Sequence, residues 1–549
     1  MNTLKHSIAL KIIGLILLVF ISYQCMYDEF RFDELDTSVS INLPVPLIHG
    51  SLSFNDLVSG IDNSSHFVVG PNGLLTLYYT DTIESISANN IVQIPEQAFS
   101  SPFSETEFSF PPGNIPADTF EVTKTAQYPF AFAHNEKIDS IYINSGDIEF
   151  NISSSFSHQA RVDITIDALT QNNIPFTRSF LVEKSSTQIY KKVKFNLNNY
   201  HMYLHDSTGN DNMFLPVQFH VSVFTDGVGG INNSSLQVAT TLNNLDFDAV
   251  FGYVGNQHLI TQSGNFDLNF FNIPSGGNIK FTEPQINFHI KNSFGVPSMI
   301  NLNRLAGFNN QGDSINLTYI NSSVNHFRYA YPNIEEYGQT KDTTVSLDKD
   351  NSSISQFVSF IPSSIKYDID VTTNPDNKGE ENFIRANNKV DITMELALPL
   401  TLSVDNFVLI DTLSDILKDG WNSENGVDHL DLVMKVENGM PLNIDLQLIL
   451  TDSEYNHLDT VFENSELPVA LAATINPQTG ETIKPTQKVV KINYETKDLE
   501  KIKRARHALF LVDIESPSIN GNQVQVKILE SQTIKFSLGA NVGLNVNDN

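Results

Sequence analysis

Alternation with a period of two runs through most of this 549-residue chain and constrains it more than any other feature. Val162, Ile164, Ile166 and Ala168 are interleaved with Asp163, Thr165 and Asp167. The same pattern holds for Val217, Phe219, Val221 and Val223, for Ile392, Met394, Leu396 and Leu398, and for Ile444, Leu446, Leu448 and Leu450. It returns at Ile534, Phe536 and Leu538, then at Val542, Leu544 and Val546. Successive side chains of a strand point to opposite faces, so these segments read as strands with one buried face, the antiparallel habit. Asn438-Gly439 and Asn520-Gly521 fall between apolar runs, where tight turns form. Many short strands separated by turns predict an all-β chain of tandem immunoglobulin- or fibronectin-like β-sandwich domains with few short helices. Two helices are expected: one over 411–418 that buries Leu413, Ile416 and Leu417, and one starting at Thr496 with Leu499 and Ile502 inward.

At about 150 residues per domain the length allows three or four domains. The formal net charge is −30, which argues against nucleic acid as a partner, because neutralising phosphates takes clustered Lys and Arg. One cysteine excludes a disulfide framework and a multi-cysteine metal site. That cysteine, Cys25, closes a short segment in which Lys5, His6 and Lys11 precede an apolar run from Ile12 to Ile21. A membrane-spanning helix needs about 20 apolar residues, so this shorter run reads as a secretory signal.

Three segments superpose along the chain. Ile148, Phe150, Ile152, Ser155 and Phe156 match Ile286, Phe288, Ile290, Ser293 and Phe294, and the third copy runs from Leu432 through Asn438, Gly439 and Met440 to Pro441. Ser154 and Asn292 are 138 residues apart, and Asn292 and Asn438 are 146 apart, spacings that suit one sandwich per repeat. In the fullest copies the strand ends at Asn, Gly is expected to supply a positive φ, and Pro blocks immediate pairing. The expected division is a signal peptide over 1–24, an acidic tether over 25–40 and a β-rich region over 41–135. Sandwich repeats follow over 136–272, 273–422 and 423–549.

This strand–Asn–Gly–Pro–strand pattern resembles the water-stress and hypersensitive-response domain of late-embryogenesis-abundant proteins. The resemblance implies a small β-sandwich and no shared catalytic site. Ser22-Tyr23-Gln24-Cys25, with Met26-Tyr27-Asp28-Glu29-Phe30 after it, resembles the processing and surface-routing region of Bacteroidota lipoproteins. Gln24 and Ser22 depart from the usual lipobox residues. The resemblance implies lipidation at Cys25 and an outer-membrane, surface-facing location. Stable anchoring takes two or more acyl chains. The segments 43–52 and 251–255 are similar to stretches of uncharacterised Bacteroidota envelope lipoproteins.

Hydrolase, phosphate-loop and dinucleotide-binding motifs do not occur in the sequence, and no cofactor is expected. His201 and His205 have metal-like spacing only on a helix, and their neighbours suit a strand end equally well. Asp348, Asp350 and Asn351, and separately Asp206, Asn210 and Asp211, offer clustered oxygens for calcium without the spacing of an EF-hand; solvated turns have the same composition. Lys501, Lys503, Arg504 and Arg506 form the one basic cluster, either complementing a helix C-terminus or contacting lipid phosphates or an acidic partner. Asp followed by Ser or Thr and a small or aliphatic residue is similar to the O-glycosylation signal of Bacteroidota envelope proteins. The candidate acceptors are Thr82, Ser140, Ser207, Ser314, Thr343, Thr412 and Thr460.

The sequence therefore predicts a non-enzymatic outer-membrane lipoprotein that serves as scaffold or recognition subunit, docked on an envelope protein partner through sheet edges, faces or loops. A surface glycan-binding or glycan-degrading lipoprotein is the alternative. It is favoured by 37 Phe and 17 Tyr and disfavoured by a single Trp, Trp421. An adhesin is the third reading. Cys25→Ser is expected to abolish incorporation of labelled fatty acid and to move the protein from the membrane to the soluble fraction.

Overall fold

The computed structural model describes residues 39–546 apart from 55–64, 113–114, 135, 185–186, 205–212, 229–232, 269–275, 322, 379–380, 415–426 and 463–467. Strand accounts for 64% and helix for 6%, so the chain is all-β. The alternating segments form the strands expected of them. Val162, Ile164, Ile166 and Ala168 are buried along Gln159–Gln171, and Val217, Phe219, Val221 and Val223 along Phe214–Phe224. Ile392, Met394, Leu396 and Leu398 are buried along Lys389–Pro399.

The sheets form three sandwiches. The first contains one continuous ten-stranded sheet. Its two longest strands, Lys137–Ser154 and Ser235–Tyr253, pair along their length, but the register breaks between Asn243 and Ala249. Gly146 and Asn244 take positive φ there, and a bulge of this kind bends a strand and sharpens its twist. One half of the pair therefore supports Gln97–Ser104 and Ile189–Asn196, while the other supports His201–Tyr203 and Asn382–Arg385. The second sandwich joins Gln285–Asn292, Lys389–Pro399 and Lys341–Leu347 to a sheet built on Ser298–Phe308 and Ser364–Thr373. The third pairs a four-stranded sheet containing Val427–Asn438 with a six-stranded sheet containing Asn443–Thr451 and His507–Glu515.

Strands from the N-terminal region go to all three sandwiches. Val39–Ser53 pairs with Thr533–Val546, Leu75–Ser87 with Lys389–Pro399, Gln97–Ser104 with Ser235–Tyr253, and Thr119–Pro129 with Phe214–Phe224. Pro44 and Pro46 sit on Val39–Ser53, an edge strand where a missing N–H costs no ladder bond. Sheet membership thus crosses the linear segments 41–135, 136–272, 273–422 and 423–549.

The repeated corner has one geometry in all three copies. The N–H of Phe156 donates to Ser154 Oγ at 3.2 Å, that of Phe294 to Asn292 Oδ1 at 2.9 Å, and that of Met440 to Asn438 Oδ1 at 2.8 Å. All six residues are buried. Asn438 also donates through Nδ2 to the carbonyls of Leu442 at 2.8 Å and Leu471 at 3.0 Å. In the second and third copies the corner carries the chain from one sheet to the facing one.

Three expectations need correction. Gly295 and Gly439 do not have positive φ. Space is the reason for glycine there: a Cβ on Gly295 would lie 2.2 Å from the Phe383 ring, and one on Gly439 would lie 2.9 Å from the Thr533 carbonyl oxygen. Asn292 and Asn438 act through their side-chain bonds and not through a left-handed backbone. The expected helix over 411–418 is strand as far as Ser414, because Thr401–Ser414 pairs with His507–Glu515 from Phe407 to the strand end. There the ladder overrides local propensity, and 415–418 lies outside the described residues. The helix Thr496–Ile502 forms as expected with Leu499 and Ile502 buried, and Asn520-Gly521 makes its tight turn with both residues at positive φ.

Asn438→Ala leaves the buried N–H of Met440 and the buried carbonyl of Leu442 short of a partner, along with the half-buried carbonyl of Leu471. It is expected to cost roughly 1–3 kcal/mol or more, seen in denaturant melts as an earlier transition of the third sandwich.

Candidate functional site

The outer face of the first sandwich carries a cluster of partly exposed aromatic side chains. Four strands place two neighbouring rows there. One row runs His201, Tyr142, Ala249, Arg385, and the next runs Tyr203, Ser140, Phe251, Phe383. The Tyr142 and His201 rings stack at 3.9 Å and 13°, and His201 lies 3.9 Å from Tyr203. Tyr142 meets Phe251 edge-on at 5.9 Å. Tyr337, just beyond the short turn Ile334–Glu336, stacks on Phe251 at 5.6 Å and 23° and lies 5.1 Å from Phe383. The Arg385 guanidinium lies 5.3 Å from the Tyr337 ring centre. Tyr142, Tyr203 and Tyr337 remain 43%, 44% and 40% exposed. Ser140 and Ala249 are the small residues between them and are covered by their neighbours.

Two nitrogens of this face are buried without a hydrogen-bond partner, His201 Nε2 and Arg385 Nε. Burial lowers the pKa of His201, so its imidazole is neutral at neutral pH. Burial raises the Tyr337 phenol, and Asp248 and Tyr142 add to this against the opposing Arg385. Asp139 at the rim is raised by burial and then by Glu381. With their faces packed on one another, these half-exposed rings turn edges and hydroxyls to solvent, a surface that suits a ligand with both apolar and hydroxylated parts.

Other sequence-derived candidates are distributed across the molecule. Cys25, His205, Asp206, Ser207, Asn210, Asp211 and Trp421 lie outside the described residues. His201 sits on a strand, where helical metal spacing has no meaning. Asp348 Oδ1 accepts from the N–H groups of Asp350 at 2.9 Å and Asn351 at 3.1 Å, and Asn351 Oδ1 accepts from Asp348 N at 3.0 Å. These oxygens close a turn, and no group of three or more His, Cys, Asp or Glu poised for a metal occurs among the described residues. Lys501 pairs with Asp498 and Lys503 with Glu500, while Arg506 donates to the carbonyls of Ala505 at 2.7 Å and Lys503 at 3.3 Å. Arg504 is exposed beside them.

Thr82, Ser314 and Thr412 are exposed, whereas Ser140 is 9% exposed beneath the aromatic rows. The hydroxyl of Thr343 accepts from Ala330 N at 2.9 Å, and that of Thr460 lies 2.9 Å from His457 Nε2. An enzyme acting on the folded chain therefore reaches the first three and not Ser140.

A strained acidic cluster lies in the third sandwich. Asp445 and Asp513 are directly opposite across a strand pair, with Glu515 opposite Asn443. Oδ1 of each aspartate is buried without a partner. Burial raises both carboxyls; Asp513 and Glu515 push Asp445 further, and Glu515 and Asp405 push Asp513.

No family model matches the chain, and none of the curated proteins matches it. Among solved structures it is similar to a protein of Parabacteroides distasonis assigned as secreted, at 10% identity and a TM-score of 0.24, over 92% of this chain and 100% of that one. A family 11 carbohydrate-binding module from Clostridium thermocellum, in complex with a β-1,3-1,4-mixed-linked tetrasaccharide, shows 14% identity and a TM-score of 0.11. It covers 38% of this chain and 91% of its own. Infectious bursal disease virus of the Gx strain gives 10% identity and a TM-score of 0.13, over 89% of this chain and 83% of its own.

Asp445 and Asp513 hold protons more tightly folded than unfolded. Stability is therefore lost as pH rises from the ordinary aspartate range through their raised values. Asp513→Asn is expected to raise the melting temperature at neutral pH and to flatten this decline. A pH series of thermal melts checks it.

Proposed function

We propose that this chain is an exported binding protein of the bacterial cell envelope whose ligand is carbohydrate, held without cleavage on the outer face of the first sandwich. The observation that carries the reading is the pair of aromatic rows crossing four strands, with Tyr142, Tyr203 and Tyr337 half-exposed. Burying such rings against sugar C–H faces removes apolar surface from water, and sugar hydroxyls are left to meet the polar edges. Export and anchoring rest on the basic and apolar start of the sequence and on Cys25, and no helix among the described residues is long and apolar enough to cross a membrane. Tyr142, Tyr203 and Phe251 stand on strands, which hold side chains more firmly than loops do, and this supports the reading.

A scaffold role within an envelope complex is the second reading. The strand Thr486–Glu495 favours it, because it is paired on one side only and offers a ten-residue edge to an incoming strand. The two readings separate by experiment. Tyr142→Ala combined with Tyr337→Ala is expected to weaken retention of the protein in polysaccharide-containing gels by at least about tenfold, or about 1.4 kcal/mol, with an unchanged circular-dichroism spectrum. Reducing ends are not expected to accumulate in the retained polysaccharide. A protein that passes every such gel unretarded, yet is recovered in a stoichiometric membrane complex, is a scaffold.

A further inference from the structure

We propose that the aromatic face takes a neutral glycan chain longer than one sugar ring, lying across the strands between His201 and Arg385, and rejects polymers bearing carboxylate or sulfate. This rests on the carbohydrate reading and adds the charge class and the run of the chain.

Charge decides the first part. The acids around the face are Asp139, Asp246, Asp248 and Glu381. Asp248 stands out at the register break beside Ala249, and Glu381 immediately precedes the strand Asn382–Arg385. Among the described residues Arg385 and Lys137 stand against them, while Lys341 beside Tyr337 is paired with Glu336. The Arg385 guanidinium is spread over the Tyr337 ring, and Lys137 lies across from Tyr253 at the far end of the same strand pair. His201 adds no positive charge, because its imidazole is held neutral by burial. The local field is negative within a chain of net charge −30, and a carboxylate-bearing sugar on these rings would meet like charge at close range.

The unpartnered nitrogens decide the second part. His201 Nε2 and Arg385 Nε stand at opposite ends of one cross-strand row, with Tyr142 and Ala249 between them. Three strand spacings separate the two ends, about 14 Å, a span longer than a single pyranose ring. Both nitrogens are covered by the neighbouring rings, so a hydroxyl reaches them only as Tyr142, Tyr203 or Tyr337 shifts, and that contact recovers the free energy a buried nitrogen without a partner costs. A hydroxyl both donates and accepts, so it serves the Arg385 donor and either tautomer of His201. Phe251 lies between the Tyr142 and Tyr337 rings with Ser140 and Ala249 covered beneath, so a chain running from one ring to the other crosses Phe251.

The test is affinity electrophoresis of the full chain through gels containing mixed-linkage β-glucan, galactomannan, xylan or starch, and through gels containing polygalacturonate, alginate or chondroitin sulfate. Retardation by at least one neutral polymer, about tenfold or more above any anionic one and unchanged between low and high salt, is the expected result. Retardation by anionic polymers alone, lost at high salt, overturns the charge class and leaves the carbohydrate reading standing. Passage through all seven gels overturns both. His201→Leu and Arg385→Met keep the bulk and remove the nitrogens. Each is expected to weaken retention severalfold while the spectrum of the folded protein stays unchanged, and undiminished retention in both overturns the placement of the chain. Competition by a free monosaccharide as effective as that of its own oligosaccharide overturns the requirement for more than one ring.

Discussion

At each corner where a strand of one sheet hands the chain on, a buried side-chain oxygen accepts the backbone N–H two residues later. Asn438 makes three hydrogen bonds in the core of the third sandwich, Asn292 makes the equivalent turn in the second, and Ser154 makes a thinner version in the first. A chain that leaves a ladder inside a protein exposes donors and acceptors that water cannot reach. These side chains satisfy them, and the residue that follows, Phe156, Phe294 or Met440, is thereby committed to the core. The facing sheets close around that pair of constraints. Glycine at 295 and 439 belongs to the same solution, since Phe383 and the Thr533 carbonyl press against positions where a Cβ has no room.

The corners account for the sandwiches but not for how they are completed. That depends on the N-terminal region, whose strands are shared among all three. Val39–Ser53 closes the last sandwich against Thr533–Val546, so the two ends of the described chain form a single ladder. Asn382–Arg385 leaves the second sandwich to pair with Ser235–Tyr253 of the first, and Gly295 bridges to Phe383 on that strand. One continuous hydrophobic core runs through the first two sandwiches and into the six-stranded sheet of the third at Phe281, Val404, Phe407 and Val526, and a second core centres on Val436, Met440 and Tyr494. The aromatic face exists only because this exchange occurs: Phe383, Arg385 and Tyr337 come from the second sandwich, and Tyr142, His201, Tyr203 and Phe251 come from the first.

The acids of the molecule follow two regimes. Some carboxylates pair with lysine on strand faces, as Glu149 does with Lys192 and Glu437 with Lys535, where solvent screens them and little stability is at stake. Asp445 and Asp513 instead oppose each other with an oxygen apiece turned from water. The acids around the aromatic face lie between these cases. They bring negative charge to the surface beside the rings.

Sequence alone determined the class of fold, because a period of two over so many segments is incompatible with any other packing of apolar side chains. It also determined the repeated corner, since Ser154, Asn292 and Asn438 are matched by their neighbours, and the helix at Thr496, whose apolar spacing is local. Propensity failed at Thr412 and Leu413, where a ladder to His507–Glu515 outweighed a capped helical pattern, and the expected positive φ at Gly439 proved to be a matter of contact. The tertiary structure decided which strand lies beside which, and with it the site. Tyr142, Phe251 and Arg385 are separated by more than a hundred residues in sequence and become neighbours only through cross-strand register. Register is set by closure of the whole sandwich, and no local pattern of residues encodes it.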